Sequence, residues 1–258
     1  MISELIRKKD VLNFINLYRE IGISMVAVPQ KQVFDEKFVK KPQRSILKTD
    51  NIFSVDLQIK NLEESFNNLE GFNLKKTAIN FIPFQGNYNS NILVVDGMPN
   101  ADEDKAGQSF VGEKGTLFKK MLNAIQLNIE NIFIATAVPW RPPGNRYPTS
   151  MEIDICRPYI YSLIKILKPD ILLCVGEIAT TLILKTNKGI IKSRGQWDEL
   201  CLTTNENKTI ITKVLPTLNI SYLLTRPDMK RHAWEDMKLL RDQIKEIKSK
   251  KSNSDNYV

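Results

Sequence analysis

The sequence predicts an α/β protein, a three-layer α/β/α sandwich around a central four-stranded, mainly parallel sheet. Three observations carry this. Short apolar runs recur between Asn91 and Leu215. Segments with helical spacing separate them, and strands that alternate with helices pair in parallel under two helical layers. The links that leave the apolar runs are rich in Gly and Pro, as turns are.

The elements follow in order. Val11 to Ile21 sets Leu12, Ile15, Leu17, Tyr18 and Ile21 close to a helical stripe. Ala27 to Asp50 carries Pro29, Pro42 and several Lys and reads as an extended connector. Leu57 to Phe72 reads as a polar helix, and Gly86 to Ser90 as a turn-rich boundary. Asn91 to Val95 is the first buried strand. Asp96 to Gly115 reads as a long loop, in which Asp102, Glu103 and Asp104 are solvated or loop-structuring. Thr116 to Ile125 is a helix with Leu117, Met121, Leu122 and Ile125 inward. Asn131 to Val138 is the second strand. The loop from Pro139 to Thr149 is stiffened by four prolines. Ser150 suits an N-cap for a helix to about Leu167. Ile171 to Val175 is the third strand, Ala179 to Leu184 is helical, and Lys208 to Leu215 is the fourth strand. Pro227 to Lys248 closes the chain with Trp234, Met237 and Leu240 on its inner side. The expected organisation is an N-terminal helical and linker region (1–84), one α/β domain (85–245) and a basic polar tail (246–258).

Composition narrows the function. Hydrophobic residues make up 42% of the 258 residues, enough for a core. The formal net charge is +8, from 37 Lys and Arg against 29 Asp and Glu, which favours a polyanionic partner. Cys156, Cys174 and Cys201 are widely spaced and form no CxxC, so neither a disulfide framework nor a zinc ribbon is indicated, and a reducing cytoplasm fits. No run reaches the ~18 apolar residues of a membrane span. In a parallel sheet ligands bind beyond the carboxyl ends of the strands. That rule points to Asp96–Gly112, Pro139–Thr149 and Pro216–Arg226.

Those three loops carry a family resemblance. Pro99, Ala101-Asp102-Glu103-Asp104, Gly107, Phe110-Val111-Gly112 and Gly115 resemble the first motif of type 4 uracil-DNA glycosylases. Arg141-Pro142-Pro143-Gly144-Asn145-Arg146 with Pro148-Thr149 resembles the second. Gly176 with Ala179, Arg194-Gly195 with Trp197, and Tyr222-Leu223-Leu224 followed by Pro227 and Trp234 match further along. Tyr18 to Pro29 resembles the leader of a branch that lacks an iron–sulfur cluster.

The resemblance implies base-excision DNA repair: hydrolysis of the N-glycosidic bond of a uracil, or another damaged base, flipped out of the stack. The alternative is a glycosylase-fold protein that binds DNA with weak or no chemistry, and a blander one is a protein or small-ligand binder on an inherited fold. Phe110, with Pro99 and Thr136, is then the candidate base-binding set. The family's carboxylate position, after the first strand, is Gly97, with Asp96 beside it. Its Asn position, which reads the uracil edge, is Thr136. Its His position, which donates to the base oxygen that gains charge, is Asn219. Asn219, Asn145 and Asp96 are therefore the candidate catalytic residues. The sequence thus departs from the family's pattern at Gly97, Thr136 and Asn219. Arg141, Arg146, Arg194 and Arg226 are the candidates for DNA backbone contact, with Lys188, Lys192, Lys230 and Arg231 adding to a basic rim. The only histidine, His232, reads as a surface or helix-packing residue. Type 4 members hold a [4Fe–4S] cluster on four cysteines, which one matching position, Cys156, cannot do, so no metal and no cofactor is expected. Trp140 stands where another ligand would be and reads as core. The expected partner is single- or double-stranded DNA, bound by a monomer in the cytoplasm with no membrane contact.

Overall fold

In a computed structural model, residues 50–204 and 207–255 are described. The expected helix at Val11 to Ile21, the connector from Ala27 and the leader-like Tyr18 to Pro29 lie outside them.

The fold is α/β, with one sheet in the strand order β1-β3-β2-β4-β6-β5. The strands are β1 Phe84–Gly86, β2 Ile92–Asp96, β3 Phe133–Thr136, β4 Ile171–Val175, β5 Asp198–Thr203 and β6 Thr209–Thr217. The four inner strands, β3-β2-β4-β6, are mutually parallel. They are the four apolar runs of the sequence. The sheet is wider than expected by two antiparallel edges: β1 pairs with β3 and β5 with β6. Both edges are weak in sequence for a physical reason. β1 has three residues. β5 buries only Leu200 and Leu202, since an edge strand can face solvent on its other side.

The helices are α1 Asp50–Asn67, α2 Ala101–Ala106, α3 Gly112–Ala124, α4 Ser150–Leu167, α5 Glu177–Leu184, α6 Ile190–Ser193, α7 Ile220–Thr225 and α8 Lys230–Asp255. They form two layers because successive strand residues point to opposite sheet faces. Leu93 and Val95 of β2 face one core, shared with Phe66 of α1, Tyr159 and Leu163 of α4 and Leu182 of α5. Ile92 and Val94 face the other, with Phe118 and Leu122 of α3, Leu223 of α7 and Met237 of α8.

Four local expectations change. The helix expected at Leu57 to Phe72 falls on Asp50–Asn67 and packs against α4. The acid-rich segment after β2 is helical, not an extended loop: Asn100 accepts from Glu103 N–H and Glu103 returns a bond to Asn100 N–H, a capping box that starts α2. Thr149, not Ser150, caps α4 through the same reciprocal bond with Glu152. Trp234 is 40% exposed; Ala233, Met237 and Leu240 form the inner stripe of α8 instead.

Candidate active site

Asp96 closes β2 and Thr136 closes β3, and the two are paired neighbours in the parallel register. Alternation along both strands turns their side chains to the face that carries Phe110 and Phe118. Thr136 is buried, and its hydroxyl shares a 3.0 Å hydrogen bond with that of Ser109, the residue before Phe110. Asp96, Ser109, Phe110 and Thr136 thus meet at the carboxyl end of the sheet, where the parallel arrangement places ligands.

Phe110 holds an uncommon backbone. Its φ is 54°, a left-handed value that a bulky residue rarely takes. Two contacts hold it there. Its N–H donates to Glu103 Oε1 at 2.6 Å. Gly115 packs so closely that an added Cβ would lie 1.8 Å from the Phe110 carbonyl oxygen, so only glycine fits. The ring is 4% exposed and stacks on Phe118 with centroids 4.1 Å apart.

Lys114 is the residue that sequence reasoning missed. It lies in the first turns of α3, 3% exposed, with its ammonium between two buried carboxylates. Nζ is 2.5 Å from Asp96 Oδ2 and 2.9 Å from Glu103 Oε2, and 5.1 Å from the centroid of the Phe110 ring. Burial pulls the Lys114 ammonium towards a lower pKa, but the two carboxylates outweigh it and the net shift is upward. Burial, and then the neighbouring Asp96 charge, push Glu103 up. The second oxygen of Asp96, Oδ1, is buried and has no hydrogen-bond partner. A signal for Lys114 exists in the sequence: it precedes Phe118 by four residues and Leu122 by eight, on the buried stripe.

Asn219 caps α7. Its Oδ1 accepts from Ser221 N–H at 2.8 Å and more weakly from Tyr222 N–H, which leaves the amide nitrogen as the free end. That side chain lies against Gly176, where an added Cβ would come within 2.9 Å of Asn219 Cβ and 3.2 Å of its Nδ2. Gly176 leads into α5, and the second residue of α5, Ile178, faces Gly97: a Cβ at position 97 would meet Ile178 at 3.2 Å. Positions 97 and 219 therefore converge on the N-terminal end of α5. Ile178 fills the space that a side chain at Gly97 would enter.

The remaining candidates are dispersed. Pro99 is buried beside the Asn100 cap. Asn145 is exposed at φ 55° and accepts from Arg141 Nε at 2.7 Å. Arg141 also reaches Asp104 at 3.7 Å, which ties the proline loop to α2. Neither contacts the Asp96–Lys114 group. Arg146 forms a two-pronged pair with Glu152, at 2.8 and 2.7 Å, and that pair holds the Glu152 carboxyl below its usual range. Arg194 is turned inward: its guanidinium binds the buried Asp236 and the His232 carbonyl. Arg226, Lys188, Lys192, Lys230 and Arg231 are exposed.

The residues present do not fit an iron–sulfur cluster. Cys156 is fully buried and is the one cysteine at a matching position, and one thiolate cannot hold four irons. Trp140 lies in a packed aromatic group, with ring centroids 4.8 Å from Phe81, 5.1 Å from Phe72 and 5.4 Å from Phe66. Phe66 in turn stacks on Tyr159 at 4.1 Å. Cys174 is buried in β4 and Cys201 is exposed on β5. Among the described residues no group of three or more His, Cys, Asp or Glu is placed to hold a metal. None of the described helices is long and apolar enough to cross a membrane.

Comparison with known proteins agrees with this arrangement. A model of the uracil DNA glycosylase superfamily matches residues 83–238. The type-4 uracil-DNA glycosylase of Archaeoglobus fulgidus is 36% identical over 110 residues, 43% of this chain and 55% of that protein. Those of Saccharolobus solfataricus and Thermotoga maritima are 30% identical over 186 residues and 31% over 169. These cover 72% and 64% of this chain, and 84% of each relative. The chain thus spans about half the length of the first relative and most of the other two. The matched region contains the parallel strands, the Phe110 loop, the proline loop and the Asn219 cap, so the chain belongs to the uracil-DNA glycosylase superfamily.

Proposed function

We propose that this protein is a DNA glycosylase of base-excision repair, which hydrolyses the N-glycosidic bond of a flipped uracil or similarly damaged base. The observation that carries this reading is the convergence of Asp96, Ser109, Phe110 and Thr136 at one end of the parallel strands, with the Asn219 amide beyond the same end of β6. The names of the type-4 relatives support the same substrate.

The chemistry needs little beyond stabilising charge. As the glycosidic bond breaks, negative charge builds on the base. The Asn219 amide has its oxygen tied to the α7 N–H groups, which leaves its NH2 beside Gly176 as the donor to that charge. Phe110, whose ring is backed by Phe118, gives the base an apolar wall and the Thr136 hydroxyl a polar contact, while Pro99 lies apart beside the Asn100 cap. Gly97 supplies no carboxylate, so Asp96 is the acid that remains at the end of β2. Asn145 lies further out, on the rim. Arg226 and the exposed lysines near it hold phosphates, while Arg141 and Arg146 brace the proline loop. The protein acts as a monomer, on single- or double-stranded DNA, in the cytoplasm.

The test uses uracil-containing single- and double-stranded oligonucleotides, with alkaline cleavage of the abasic product. Wild-type protein is expected to give strand breaks, and Asn219→Ala to lower the single-turnover rate by about 100- to 1,000-fold, the worth of one donor aimed at developing charge. No product at stoichiometric protein overturns the reading.

A further inference from the structure

Two polar groups in the buried cluster have hydrogen-bonding capacity left over. An ammonium has three N–H donors, and Lys114 uses one on Asp96 and one on Glu103. Asp96 uses Oδ2 on Lys114, while Oδ1 has no partner although the residue is 1% exposed. A bare carboxylate oxygen in a dry site costs free energy until a donor reaches it. The free acceptor and the free donor belong to groups 2.5 Å apart, and the ammonium lies over the Phe110 ring. Meanwhile Thr136, beside Asp96 in the sheet, has its hydroxyl engaged by Ser109.

We infer that Asp96 and Lys114 together read the edge of the flipped base, with Asp96 Oδ1 accepting from a ring N–H and Lys114 donating to the carbonyl oxygen next to it. The substrate class that fits is a base with an N–H beside a C=O, the imide or lactam edge that deamination creates. Uracil and hypoxanthine have it; cytosine and adenine present a ring lone pair beside an amino group. A side-chain amide offers one acceptor and one donor on a single residue. Here the same pair comes from two residues on two elements, β2 and α3. Glu103 holds the ammonium from the far side and is itself fixed by the N–H groups of Asn100 and Phe110 at 2.9 and 2.6 Å. Asp96 is thereby a base-contacting residue, not a water activator. The inference rests on the glycosylase reading only for the flipped base as ligand.

The experiment measures binding of the full chain to oligonucleotides that carry one 2′-fluoro-2′-deoxyuridine, a nucleoside whose glycosidic bond resists hydrolysis. Companion strands carry its N3-methyl derivative or 2′-fluoro-2′-deoxycytidine. Wild-type protein is expected to favour the uracil strand by about five- to 150-fold over both, the usual worth of one well-placed edge contact. Asp96→Asn keeps the side-chain shape. Its amide oxygen stays on Lys114 and its NH2 takes the place of Oδ1, so a donor faces the ring N–H and the uracil preference is expected to be lost. Thermal melting checks that the variant is folded. If wild type does not distinguish uracil from N3-methyluracil, or if folded Asp96→Asn keeps the full uracil preference, the inference is overturned. Uracil-selective binding without excision of ordinary deoxyuridine upholds this inference and defeats the glycosylase reading. Excision with a selectivity that Asp96 does not affect does the reverse.

Discussion

Replacing Lys114 by Met leaves Asp96 and Glu103 facing each other in a dry interior with no cation between them. Removing one partner of a buried ion pair costs about 3–5 kcal/mol, because the charge left behind has neither water nor a counter-ion. Lys114→Met is expected to lower stability by that amount in denaturant unfolding. The pH dependence has a defined sign. The folded Lys114 pKa lies above the ordinary value of 10.5, so its contribution is complete below 10.5 and is lost as pH rises through the higher folded value. The difference in melting temperature between wild type and Lys114→Met should stay level up to about pH 10 and shrink above it. A difference that is flat through the alkaline range removes the ion triad from the explanation. This residue also marks where sequence reading stopped. Phe110, Thr136 and Asn219 are singled out in the sequence because family motifs point to their positions. Lys114 sits inside the same motif segment, but a lysine on a buried stripe means something only when the carboxylates that enclose it are known. One of those, Asp96, lies 18 residues earlier, at the end of β2.

At the scale of elements, the parallel strands β2, β3, β4 and β6 were legible as apolar runs because both their faces are covered. The edges β1 and β5 were not, since a strand with one wet face leaves a weak pattern. The α2 helix was hidden by its acids. Glu103 and Asp104 read in sequence as solvated or loop-structuring, and the second reading holds: both are buried, Glu103 by its capping box and Lys114, and Asp104 by the N–H groups of Ile79 and Asn80 at 2.9 and 3.0 Å. The layer formed by α1 and α4 was half legible. Trp140 reads as core in the sequence, but two of the partners that make it so, Phe66 and Phe72, lie in a segment that reads as a polar helix, and Phe81 in a stretch with no assigned element. This aromatic group ties the segment before β1 to α4, through Phe66 on Trp140 and Tyr159. Trp140→Ala is expected to cost about 3–5 kcal/mol, the usual loss for emptying a large buried aromatic site. The same purified protein should contain no stoichiometric iron by elemental analysis. Four irons per chain would contradict the packing argument directly.

Over the whole molecule, the charge of +8 and the arrangement of strand ends make one prediction about DNA. Exposed cations near the β4 and β6 ends should bind phosphate without reading sequence, so affinity should fall steeply with salt. Arg226→Ala is expected to weaken binding to all sequences alike and to reduce the salt slope by about 1. Arg194→Ala should leave that slope unchanged and lower the melting temperature instead, because its guanidinium is spent on Asp236 and His232. Equal loss of salt slope in both variants would place Arg194 on the DNA. The central claim concerns the reacting centre, where Gly97 and Asn219 flank the end of α5 and the Asp96–Lys114 pair meets the Phe110 ring through the ammonium. It is tested most directly by the intact mass of a uracil-containing oligonucleotide after incubation with stoichiometric protein. The expected result is a strand that has lost its uracil and gained a hydroxyl at that sugar, with free uracil in solution. An unchanged strand mass under conditions where the protein binds the same oligonucleotide would contradict it.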